Sequence, residues 1–254
     1  MKRIALMLIA GAAVFLTSCE TTKEITIQKD GSGNVVNTTD MSALLAMAKM
    51  SGQANEQLDK VKDTKMDTSF SMESMVSMAP DLTDAEKELV KKGTIGINMN
   101  MADEKFLIKL SFPFNNGKDI QQLDKLSSQV ITQVMKKQMD SAENKMPAGV
   151  GDAGLPKASI DDYYDVTYSK GVIEKKLNKE KYANVNSDEE MKSLKEMSGM
   201  GGGNNTIIIN LPSPAKKAVG KKVTLSEDKK KVTIVNSAED FFDDGASLEY
   251  RIEY

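Results

Sequence analysis

The one cysteine of this 254-residue chain stands at position 19, at the end of a short apolar run. A single thiol allows no internal disulfide, so packing alone must hold whatever folds here. The run has the layout of a secretory signal peptide: Lys2-Arg3, then Ile4 to Phe15 almost uniformly apolar, then the small residues Thr17 and Ser18. It is shorter than the ~20 residues that a membrane-spanning helix needs. Removing residues 1–18 leaves 236 residues, room for one large or two small domains. Lys2 and Arg3 go with the signal, so 32 basic residues face 37 acidic ones and the net charge becomes −5. A mixed, mildly acidic surface argues against nucleic acid as a partner, since that needs a basic face.

Other absences narrow the chemistry. The chain has no histidine, which rules out Ser-His and Cys-His catalytic pairs and any imidazole metal site. Carboxylate pairs, Ser/Lys dyads and all-oxygen metal sites are the enzymatic routes left. Methionine is abundant at 17, while Trp is absent and aromatics make up 5%. Methionine fills irregular gaps and adapts to apolar partners, so it suits either a plastic core or a pocket for greasy ligands.

Leu16-Thr17-Ser18-Cys19 resembles the lipobox of bacterial lipoproteins, a short pattern that ends in cysteine after small residues. The resemblance implies that Cys19 carries a thioether-linked diacylglycerol and becomes residue one after cleavage. It also implies anchoring to the bacterial envelope, with the outer membrane expected and the folded part on its periplasmic or surface face. Lipidation would consume the only thiol.

Hydrophobic period sets out the elements. Glu24 to Gln28 and Asn34 to Thr39 alternate apolar and polar around Asp30-Gly31, a hairpin. Asp30, Ser32 and Asn34 fall at the first three ligand positions of a calcium loop, but its glycine and closing glutamate are lacking, so the turn reading stands. A helix is expected from Met41 toward Val61, a short strand at Met66 to Phe70 and a helix at Ser71 to Met78. Thr83-Asp84-Ala85-Glu86 is a capping box that opens a further helix.

Ile95, Ile97, Met99 and Met101 share one strand face, and Phe106, Ile108, Leu110 and Phe112 face the same way on the strand that Pro113 should end. Asp119 to Met139 is an amphipathic helix that can cover this face. Residues 144–159, punctuated by Gly and Pro, read as a linker or a long loop. Beyond it, Tyr163 to Ser169 and Val172 to Leu177 make a hairpin, and Ser187 should cap a helix through Met191 and Leu194. Strands follow at Thr206 to Asn210, Lys222 to Leu225 and Lys231 to Val235, and Ser247 to Tyr254 closes the chain as a strand.

The resulting fold class is α+β, a mainly antiparallel sheet of hairpins with amphipathic helices on one face. Residues 1–18 are the signal, 19–23 a lipidated tether and 24–254 a single domain, with sub-division at a flexible linker 144–159 as the alternative. Lipobox, hairpin, Asp40-led helix and the strand end Ile209-Asn210-Leu211-Pro212 together resemble envelope lipoproteins of Bacteroidota and, loosely, LppM-type lipoproteins of mycobacteria. That resemblance implies a lipidated α+β domain without assigned catalysis.

Among candidate sites, Asp161-Asp162 and Asp240, Asp243 and Asp244 are the densest acids, fit for Ca²⁺ in principle and equally for exposed turns. Phe241-Phe242 should split, with one ring in the core and the other on a surface open to a partner. No catalytic, cofactor or metal residue is assigned; Cys19, as the lipidation site, is the one residue given a role. The leading expectation is a non-catalytic binding or interaction module. The alternatives are a carrier of lipid or another apolar ligand in a Met/Ile-lined cavity, which Ile97→Phe would fill, and an enzyme of carboxylate or Ser/Lys type.

Overall fold

A computed structural model describes residues 20–42, 65–76, 82–126, 159–199 and 204–254. Cys19, most of the expected 41–61 helix, the second half of the 119–139 helix and the 144–159 linker (Ser159 apart) lie outside these residues. The described chain is α+β, with twelve strands in two sheets.

The larger sheet has eight strands in the order β10-β11-β8-β1-β2-β5-β4-β3. Its N-terminal members are β1 (Glu20–Ile27), β2 (Gly33–Asp40), β3 (Lys65–Ser71), β4 (Thr94–Asn100) and β5 (Lys105–Phe114). Its C-terminal members are β8 (Asn204–Asn210), β10 (Val223–Leu225) and β11 (Lys231–Ser237). The two sets join where β1 runs parallel to β8, Thr21 opposite Asn205 and Thr26 opposite Asn210. Every other pairing is antiparallel. The smaller sheet, β6-β7-β12-β9, is built of β6 (Tyr164–Ser169), β7 (Val172–Leu177), β9 (Lys217–Val219) and β12 (Tyr250–Glu253).

Sheet registers show which side chains share the inner face. Phe112, Val35, Ile25, Ile209 and Val232 lie opposite one another across five strands, and all are fully buried. A helix, α3, covers this face; residues 118–126 are helical, with Ile120, Leu123 and Leu126 turned inward at three-residue steps. The smaller sheet presents Tyr168, Ile173 and Ile252, aligned on one face, to the same cluster of buried side chains. Gly117 permits this closeness: a Cβ there would stand 2.5 Å from the Tyr168 Cβ. A second cluster is aromatic, with Tyr163, Tyr164 and Phe241 buried beside Met191 and Leu248. Around it lie α4 (Lys179–Tyr182), α5 (Glu189–Gly199) and α6 (Ala238–Asp243).

Two short helices, α1 (Glu73–Val76) and α2 (Asp84–Val90), lie between β3 and β4 in the chain; the Thr83–Glu86 capping box is formed as the spacing predicts. Several boundaries differ from the sequence reading. Strand β1 starts at Glu20, because β2 and β8 supply partners on both sides of residues 21–23. Strand β5 passes through Pro113, which lies beyond its last rung with β4 at Ser111, where no N–H is needed on that side. Asp188, not Ser187, caps α5: its carboxylate accepts the N–H groups of Glu190 and Met191. Residues Gly245–Leu248 form a 3-10 turn instead of extending β12, because Asp244 accepts the Ala246 N–H and Leu248 is drawn into the aromatic cluster.

Candidate functional site

The inner face of the large sheet carries a charge at its centre. Lys23 follows the same alternation as Ile25 and Ile27, so it points inward, aligned with Asn37 on β2 and Ile207 on β8. Its side chain is 12% exposed and meets Asp124, which α3 brings over the sheet. The opposite wall does the same. Lys175 lies between Ile173 and Leu177 on the inward side of β7, 4% exposed, and meets Asp161 at 2.5 Å. Asp161 sits in the 3-10 turn Ile160–Tyr163, which Ser159 and Asp162 cap reciprocally. Beyond Lys175, the ring of Tyr164 lies 4.2 Å from its ammonium, a cation–π contact.

Two lysines and two carboxylates thus face one another across the interior, charge for charge. The Lys175 ammonium holds the Asp161 carboxyl down at about 2, against the upward push of burial. Burial pushes the Asp124 carboxyl upward, and Lys23 opposes it. Lys23 is discouraged from charging by burial, but Asp124 and Asp161 together outweigh that and keep it above its usual value. Tyr168 and Tyr250 border this group and hydrogen-bond through their hydroxyls; burial raises both well above the ordinary phenol range. The cost of taking such charges out of water offsets much of their attraction, so these pairs add little net stability.

Tyr168 also faces outward, into a cleft of about 490 Å³. The β1–β2 turn, the start of α3, the β6–β7 turn and Tyr254 wall it in. Ile27, Phe114 and Tyr168 are buried beneath it. Both turns are tight, with Gly31 at φ +89° and Gly171 at φ +81°, conformations that glycine adopts without strain. Lys29, Lys118 and Lys170 stand exposed in its lining. A volume of this size is typical of small-molecule sites, roughly 300–1,000 Å³.

The acids singled out in the sequence are brought together only in part. Asp161, its own side chain 45% exposed, pairs with the buried Lys175; Asp162 caps its own turn. Asp240 accepts from the Ser237 N–H and hydroxyl and pairs with Lys222 at 2.6 Å, while Asp244 pairs with Lys221 at 2.9 Å. Asp30 accepts from the Ser32 N–H and hydroxyl in a hairpin turn. Phe241 is fully buried, and Phe242 is half-buried against it with Lys195 5.6 Å from its ring. Ile97 and Met99 do not line the cleft; they stand at the other end of the sheet's inner face, and the cleft lining includes no methionine among the described residues. Lys23, Lys175 and Asp124 escaped the sequence reading. Their signal was present for the lysines: each occupies an apolar position in an alternating strand.

No family model matches this sequence, and comparison with curated proteins gives no match. Among solved structures the chain is similar to the NMR structure of the folded domain of LppM from Mycobacterium tuberculosis, with a TM-score of 0.35, 9% identity and coverage of 94% of this chain and 91% of that one. The likeness is loose.

Proposed function

We propose that this chain is a lipid-anchored protein of the bacterial envelope that acts by binding, without catalysis, and that the cleft between the β1–β2 and β6–β7 turns is where it binds. One observation carries the reading: both sheets contribute to a single concave site that combines a buried apolar base with exposed cations. The anchor rests on Lys2-Arg3, the apolar run and Cys19. The outer membrane is the membrane we assign, and two or more acyl chains on Cys19 would make the attachment durable.

Strand β1 connects the two features. It begins at Glu20, one residue from Cys19, and ends at Ile27 in the cleft. Seven steps at about 3.4 Å each separate the two ends by roughly 24 Å. The cleft therefore lies at the end of β1 remote from the lipid, suited to a ligand or partner met outside the bilayer.

Two measurements test this. Cys19→Ala should leave uncleaved precursor and no acylated form; normal processing of that variant would sink the anchor. Titration of the mature protein with a library of small molecules should move the amide resonances of Lys29, Gly117 and Gly171 together. Hits that move only resonances elsewhere would remove the cleft as the site.

A further inference from the structure

We infer that the cleft takes a small amphipathic anion: an acidic head, carboxylate or phosphate, on a compact apolar body. The inference rests on the proposal that the cleft is the binding site, and it adds the ligand's chemistry.

The cations come first. Lys29 belongs to the β1–β2 turn, Lys118 to the first turn of α3 and Lys170 to the β6–β7 turn, so three separate elements deliver one charge each to the same lining. None of the three makes an ion pair among the described residues. Some lysines elsewhere are matched to acids: Lys87 to Asp84, Lys91 to Glu88, Lys192 to Glu189, Lys221 to Asp244 and Lys222 to Asp240. Other exposed lysines, such as Lys92, Lys176 and Lys217, also make no ion pair among the described residues; what sets these three apart is that they converge on one lining above a buried apolar base.

Acids near these lysines are turned to other work. Asp30, which shares the lining, accepts the Ser32 N–H at 3.0 Å and the Ser32 hydroxyl at 2.7 Å, so its charge is directed into its own turn. Asp119, next to Lys118, accepts the N–H groups of Asn115 and Asn116. Lys216 donates to the main-chain oxygen of Tyr254, which also lines the cleft. Positive charge remains in excess at the mouth, and like charges held together gain from an anion that settles among them.

The apolar half is equally specific. Ile27, Phe114 and Tyr168 are buried, and the Tyr168 hydroxyl is already engaged by Tyr250, so the cleft base offers ring and methyl surface. A bare inorganic anion would leave that surface wet. A neutral apolar molecule would leave the three ammonium groups unanswered. A ligand with both parts satisfies both halves.

The test uses mature lipidated protein in phosphatidylcholine nanodiscs, with empty nanodiscs as blank. Four probes are compared by amide shifts and fluorescence: naphthoate, naphthyl phosphate, the neutral naphthyl glucoside and inorganic phosphate. Naphthoate and naphthyl phosphate should bind at Lys29, Gly117 and Gly171, and the tighter of the two names the head group. Rising salt should weaken both, since screening shortens to about 10 Å at 0.1 M. Combined Lys29→Gln, Lys118→Gln and Lys170→Gln should weaken the anions by roughly tenfold or more, at about twofold to fivefold per exposed charge, and leave the glucoside unchanged. These lysines are exposed, so the variant keeps the core intact. Glucoside binding as tight as naphthoate, or anion binding unaffected by the triple change, would overturn the anionic class while the cleft stands. Four probes that leave the cleft amides unmoved would overturn the cleft itself.

Discussion

The two buried clusters solve the same problem in opposite ways. The larger is aliphatic, made by facing sheets and α3, and yet it encloses Lys23, Asp124 and Lys175. The smaller is aromatic, with Phe241 at its centre and the rings of Tyr163, Tyr164, Tyr182 and Phe242 between 5.1 and 6.1 Å away. Its polar atoms are hydroxyls, and each is satisfied locally: Tyr164 donates to the Gly245 carbonyl, Tyr182 to the Phe241 carbonyl and Tyr163 to Asp188. Charge in one interior is balanced by charge across a gap between sheets. Polarity in the other is balanced by backbone carbonyls and by the Asp188 carboxylate beside it. The first arrangement fixes how two sheets register; the second fixes how short helices close over a strand end.

Substitutions should separate the two. Phe241→Ala removes the ring at the centre of the aromatic cluster and should cost about 3–5 kcal/mol in urea denaturation. A loss near zero would mean that this cluster is ornamental to stability. Lys23→Met removes the main counter-charge of Asp124 and should cost about 3 kcal/mol, whereas Lys23→Met with Asp124→Leu should recover most of that, because an apolar pair can replace a buried ionic one. If the double variant is as unstable as the single one, the ions are needed as ions. Ser237→Ala, at the junction of β11 and α6, removes one half of a formed capping box and should cost about 1 kcal/mol. An unchanged denaturation midpoint would argue that β11 alone holds α6.

The smallest effects distinguish the regions by pH. Asp161 is held at about 2, below the usual carboxyl value, so its stabilisation is complete above the unfolded value near 3.8 and is lost as pH falls toward about 2. Tyr163 is raised to about 12 by burial and by its bond to Asp188, so its contribution is complete below about 10 and is lost as pH rises toward about 12. Acid should therefore loosen the sheet interface first, and alkali the aromatic cluster. Carboxyl-carbon NMR at Asp161 and tyrosinate absorbance read the two separately. An Asp161 midpoint in the ordinary carboxyl range would show that Lys175 does not hold it.

Much of the fold is legible along the chain, and the limits have physical causes. Strict alternation at Ile95–Met101 and Phe106–Phe112 announces the β4–β5 hairpin because one face must be buried. Thr83 with Glu86 announces α2 because four N–H groups need acceptors. What alternation does not reveal is that a charged side chain keeps its place in the pattern: Lys23 and Lys175 sit on apolar faces because Asp124 and Asp161 meet them from distant segments. The cleft is hidden for the same reason, since Lys29, Lys118 and Lys170 are far apart until the two sheets pack. Gly245–Leu248 misleads locally, as the hydrogen bonds of a short turn override an alternating pattern.

The parallel pairing of β1 with β8 carries a consequence for the order in which the molecule is made. Thr21 is made before its neighbour Asn205, which follows 184 positions later. Hairpin β1–β2 can close early, but the other edge of β1, with Ile25 and Ile27, stays bare until β8 has been made. Long-separation pairing of this kind slows folding and leaves an open strand edge that invites wrong partners. The Thr21–Asn205 rung stands two positions from the residue proposed to carry the lipid, so a chain anchored there would be tethered before it is folded, and its assembly would take place within reach of the membrane surface.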